Sequence, residues 1–324
     1  MGAARRFRLS GTSPARTLLS RQYGATMAAV VSLAGPYADL VYHVLAHVPV
    51  DGPSSVHDAH YLAWSRATLP EPARRPAEED AEVMGVLYAR TEGAALLHAL
   101  PALHDDLPAF CASAAKGLGE LEAHEVADHD LLRALLGIDR RLAEIVRCAM
   151  ALAARAYGSA HAERVEPELR RAAAEIAPLF DDAMDLMPAM RHFRVELVHP
   201  LGPRGRVIGR RILVGAPVPW CGLPPAHPVL QAMHECAVAC ADGERRAAGV
   251  AAPQAGDTYV ECEWRAMRAV EQVARGTAWQ GRHAAWRGVF TTDELDAEAR
   301  RLGVNGDVGS LVAVLREGDA GGLS

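Results

Sequence analysis

From Arg191 to Trp220 the chain reads "RHFRVELVHPLGPRGRVIGRRILVGAPVPW", and its texture differs from everything before it. Apolar and polar residues alternate over two runs, 192–199 and 206–214, with "GPRG" between them. Period-two alternation broken by glycine and proline is the pattern of a β-hairpin. The only other strand signal is "AAVVSLAG" (28–35), a short apolar run closed by Gly35-Pro36. Two strand segments so far apart must be bridged by one sheet, which binds the chain into one unit. The expected fold is therefore α+β, mainly α-helical, with a small sheet from strand 28–34 and hairpin 192–214.

The rest of the pattern is helical. "YADLVYHVLAHV" (37–48) follows the first strand and stops before Pro49. "SSVHDAHYLAWSRATLP" holds a short helix, and Glu82 to about His104 a longer one. In 128–158, Leu131, Leu135, Ile138, Leu142, Ile145, Ala149 and Leu152 recur three and four apart, which gives a helix one buried face. Helices are also expected over 165–187, over 227–243 with Pro228 in the first turn, and over 259–276. Thr292 can cap "DELDAEARRLG", and "VGSLVAVLR" closes the series.

With 324 residues, half of them hydrophobic, the chain can bury a large core. A single mainly helical domain over 27–324 is expected, since no repeat or linker divides it. The acid-free, arginine-rich residues 1–26 read as a disordered tail, an extended start or a presequence. A net charge of -6 and 5% aromatic residues argue against nucleic-acid binding. No run reaches the roughly 18 apolar residues of a membrane span. Six scattered cysteines without a Cys-x-x-Cys pair suit reduced thiols and a cytoplasmic location. The arginine excess, with Lys116 the only lysine, is read as base composition and not as chemistry.

The segment after the second run, "HPVLQAMHECAVAC" (227–240), carries the most suggestive residues. His-Glu-x-x-His on a helix sets two imidazoles four apart to hold one zinc, with the glutamate beside the metal-bound water as general base. Here His234 and Glu235 are present, but Val238 stands where the second histidine would be. A following helix carries Glu261 and Glu263 near its start. The order hairpin, His-Glu helix, glutamate helix, spanning 192–276, resembles the zincin metallopeptidases whose third ligand is a later glutamate. In that family the sheet edge binds the peptide and the first helix lies beneath it. The resemblance implies zinc as cofactor, His234 and Glu261 or Glu263 as ligands, Glu235 as base, and hydrolysis of an amide or peptide bond. The break at Val238 implies a divergent or inactive relative.

Other histidines offer alternatives. His43 and His47 in "YHVLAHV" have the i, i+4 spacing of a metal pair, or of two half-buried histidines satisfied by hydrogen bonds. They could also supply what Val238 lacks, making a composite site with His234 or Glu235. His57, Asp58 and His60 suit a solvated helix start, and His124, Glu125 and Asp128 suit the acidic entry to a helix. His227 lies two turns before His234, too far to share an ion. "GPRGRVIGRR" has no Walker-type lysine, and no Gly-x-Ser-x-Gly elbow exists. The competing reading is a non-enzymatic helical protein that binds a peptide, a protein or a small ligand, with structural histidines.

Overall fold

The computed structural model describes residues 31–33, 39–40, 42–43, 46, 59–74, 157–208, 210–248, 255–288, 292–304 and 307–318. The expectations for 1–26, 82–104 and 128–156, and for His47, His57 and His124, lie outside them.

Among the described residues the fold is α+β and mainly helical, around one four-stranded mixed sheet. The strands are β1 (Val31–Leu33), β2 (Arg194–Val198), β3 (Gly205–Ile208) and β4 (Arg211–Gly215). Seven helices of eight or more residues accompany them: α1 (Ala59–Thr68), α2 (Glu166–Leu186), α3 (Ala226–Ala247), α4 (Ala255–Ala274), α5 (Trp279–Arg287), α6 (Thr292–Arg301) and α7 (Gly309–Glu317). None is long and apolar enough to cross a membrane.

The sheet order is β1-β2-β4-β3. β1 runs parallel to β2, with Val31 opposite Val195, and β2 runs parallel to β4, with Val195 opposite Ile212. Only β3 is antiparallel, pairing Val207 with Ile212. The hairpin is thus tighter than the alternation suggested. It joins β3 to β4 within the second run, while the first run lies parallel to β4. The physical reason is the length of "HPLGPR". It forms a 3-10 turn (His199–Leu201) followed by Gly202 at φ 62°, and carries the chain across to the far edge before β3 begins. A close backbone contact fixes this crossing, because a Cβ on Gly215 would lie 1.8 Å from the Gly202 carbonyl oxygen.

In β2 and β4 the four residues after the first arginine are buried, as befits central strands covered on both faces. α2 presents Leu169, Ala172, Ile176, Phe180 and Ala183 at helical spacing toward the core. Pro167 sits in its first turn with Glu166 and Glu168, where a missing N–H costs nothing and acids suit the helix dipole. A single hydrophobic cluster links Leu40 and Tyr42 with the sheet and with Leu311 and Leu315 of α7. α3 is its pillar. Every residue from His227 to Ala237 is buried, which an α-helix tolerates only at the centre of a protein. Small residues at Ala232, Ala237 and Ala241 let the sheet, α2 and α4 approach closely.

Candidate functional site

His234 and Glu235 stand in the middle of this buried helix, 4% and 7% exposed. The Nε2 of His234 is 2.7 Å from Oε2 of Glu263, carried by the first half of α4. One turn before Glu235, Gln231 donates its amide N–H to Glu235 Oε1 at 2.9 Å. The start of β3 closes over this face. A Cβ at Gly205 would meet Gln231 Cγ at 2.6 Å and Glu235 Cγ at 3.0 Å, so only glycine lets the strand backbone lie there. Trp286 of α5 completes the wall, its ring centroid 5.5 Å from that of His234 and 5.5 Å from that of His283.

Two carboxylates therefore crowd one imidazole in a place with little water. Burial pushes the Glu235 carboxyl up, and the Glu263 charge pushes it further. His234, the Gln231 hydrogen bond and Arg206 pull the other way, and the balance lies at about 7. Burial by itself would lower the His234 pKa, but the Glu263 carboxylate, its hydrogen bond and Glu235 outweigh burial and raise it. Burial pushes the neighbouring Tyr42 phenol up, against Arg206. This is a cluster able to hold and pass a proton near neutrality.

The sequence-derived residues separate into groups. His234, Glu235 and Glu263 come together. Glu261, two positions and about 200° around α4, acts instead on the Cys262 thiol, beside Asp242, Arg245 and Arg265. His43 bonds through Nδ1 to the Tyr61 hydroxyl at 2.8 Å and stacks on Tyr157 at 4.5 Å. His227 bonds through Nε2 to the Pro203 carbonyl at 2.8 Å, which ties α3 to the turn before β3. Cys236 and Cys240 are buried and hydrogen-bonded to each other, with burial holding the Cys236 thiol protonated. Gln231, Arg206, His283 and Trp286 were not anticipated. Gln231 had a signal, since it stands at i-4 from Glu235. His283 and Trp286 had none, because their approach depends on how α5 packs.

Zinc in a hydrolase takes three protein ligands and a water. α3 and α4 supply two, and Val238 packs its apolar side chain against the core. Among the described residues no three His, Cys, Asp or Glu side chains form a ligand set. A zinc-bound histidine also donates its other ring N–H to an acceptor, whereas His234 Nδ1 is buried without a hydrogen-bond partner. The described residues do not fit a zinc centre.

A second polar cluster lies at the C-terminal ends of β1 and β2. Asp39 Oδ1 accepts the backbone N–H of His199 at 2.7 Å, and its Oδ2 accepts from His161 Nε2 at 2.6 Å. His199 Nε2 in turn bonds Glu168 Oε2 at 3.0 Å. Rings of Trp64, Tyr61 and Trp220 surround His199, the nearest centroid at 4.4 Å. The run 192–199 puts His199 at a strand end, and nothing in the sequence points to its partners Asp39, His161 and Glu168.

Comparison of the chain with protein-family models, with curated proteins and with solved structures finds no match. The functional reading therefore rests on the residues themselves.

Proposed function

We propose that this chain is a divergent zincin-like protein that engages an extended peptide or protein segment without hydrolysing it through a metal. The observation that carries this reading is the direct His234–Glu263 contact at 2.7 Å, with Val238 one turn further along α3. The two groups that the resemblance makes ligands satisfy each other, and the position that should complete the set is apolar. The sheet edge supports the peptide-binding part of this reading. Among the described residues β3 is an edge of the sheet, and Gly205 brings its backbone onto Gln231 and Glu235. A strand edge binds an extended chain through main-chain hydrogen bonds whatever the chemistry beneath it. Glu235 then tunes charge at the groove and is not a base for water.

Metal analysis of the purified protein beside a Val238→His variant tests this. The expected result is no stoichiometric zinc, iron or manganese in the wild type and no rise in melting temperature with added zinc. In the variant, zinc binding should appear, because two histidines then stand four apart. Stoichiometric metal in the wild type, lost on His234→Ala, would restore the metal-dependent hydrolase reading with Glu235 as base.

A further inference from the structure

We propose that the cavity between α4 and α5 is a binding site for a small organic carboxylate. It has a volume of about 430 Å³. Small-molecule sites span roughly 300–1,000 Å³, and a water occupies only about 30 Å³. A bare inorganic anion would leave most of the space to solvent, whereas an organic acid fills it.

The charges select the ligand's sign. Glu271, Arg275, Gln280, His283 and Arg287 supply the polar lining, with Ala274 and Ala284 as apolar wall. The acid is already engaged: Glu271 Oε2 accepts from Arg268 at 3.3 Å and from Arg287 at 3.4 Å. Arg287 also reaches Asp296 of α6 at 3.3 Å, so its guanidinium is fixed from two sides. Gln280 turns its oxygen to the Gly276 N–H at 2.8 Å, which leaves its amide N–H groups for another acceptor. Arg275 has no ionic or hydrogen-bond partner among the described residues. His283, 3% exposed, forms part of the wall, and its Nε2 is buried without a partner. Donors thus outnumber acceptors, and one guanidinium stands uncompensated. A carboxylate meets that need bidentately at Arg275. Its organic body would then lie against Ala274 and Ala284. His283 and Trp286 join this site to the surroundings of the His234 pair, but the carboxylate contact at Arg275 does not depend on how that pair is read.

Calorimetric titration of the full chain with N-acetylalanine, its C-terminal amide and inorganic phosphate tests the assignment. The carboxylate should bind saturably, and the amide about 10-fold to 100-fold more weakly, the equivalent of one charge-assisted hydrogen bond. Arg275→Ala should weaken carboxylate binding by a similar factor and leave the melting temperature unchanged, since Arg275 is exposed and unpaired. Arg275→Lys should recover part of the loss. Equal binding of acid and amide, no saturable binding, phosphate binding as tight as the acid, or an Arg275→Ala variant that binds normally would each overturn it.

Discussion

Among the described residues lie two buried clusters of imidazole and carboxylate, and they are built on opposite terms. At the strand ends, Asp39 receives two donors, the His199 N–H and His161 Nε2, while Glu168 receives His199 Nε2. Negative charge there is matched, donor by donor. Between α3 and α4, Glu263 engages the His234 imidazole while Glu235 accepts from Gln231, and burial, with the Glu263 charge added to it, drives Glu235 to about 7. Burial is similar in both places. The difference lies in the partners: Asp39 ties together segments 122 residues apart and locks the fold, whereas Glu235, buried beside the Glu263 charge, is responsive to protons near neutrality.

The largest expected effect is at the locked cluster. Asp39→Ala strips two buried donors of their acceptor and should cost about 3–5 kcal/mol. Urea unfolding at pH 7 measures it, and a loss within error of zero would mean that Asp39 does not lock the fold. Glu235→Gln should act in the opposite direction. Because the folded pKa lies above its usual 4.5, ionising Glu235 destabilises the fold. Wild-type stability from this group is complete below about pH 4.5 and is lost as pH rises through about 7. The raised His234 pKa works in the same sense, since its contribution is present below 6.5 and is lost as pH rises through the raised value. At pH 8 the glutamine variant should therefore be more stable than wild type by roughly 3 kcal/mol, at about 1.4 kcal/mol per pKa unit. Near pH 4.5 the gain should vanish. Thermal melts at both pH values would expose a pH-independent difference and so refute the assignment.

Gly205→Ala tests the roof over the responsive cluster. The added methyl overlaps Gln231 and Glu235, and overpacking of this kind costs about 1–3 kcal/mol. Chemical denaturation would show it; no loss would mean that β3 does not press on that face. The smallest effect separates the two glutamates of α4. Glu263→Gln should lower the pH at which Glu235-linked stability is lost, whereas Glu261→Gln should leave it unmoved. Melting curves across pH 4–9 distinguish them.

Much of the site was legible because its information is local. His234 and Glu235 are adjacent, and Glu263 follows on the next helix, so element order was enough to pair them. Periodicity could not choose between Glu261 and Glu263; the packing of α4 on α3 did. The strand at 31–33 and the strand character of 192–214 were also visible, but the β3–β4 hairpin inside the second run and the parallel pairing of β2 with β4 were not. That depends on where "HPLGPR" carries the chain, a matter of turn geometry and not of alternation. Asp39 and His161 meet across 122 residues, and no spacing rule reaches that far.

The pairing of β1 with β2 also has a kinetic consequence. Val31 lies opposite Val195, and the described residues of β1, Val31–Leu33, enter the ladder. A contact so distant must close a very long loop before it yields anything, and such contacts slow folding. β2, β3 and β4 need only short closures. The order of assembly should therefore run from the C-terminal half backward, with β1 docking last onto a sheet already three strands wide. In pulse-labelling hydrogen exchange, amides of 211–215 should be protected ahead of those of 31–33.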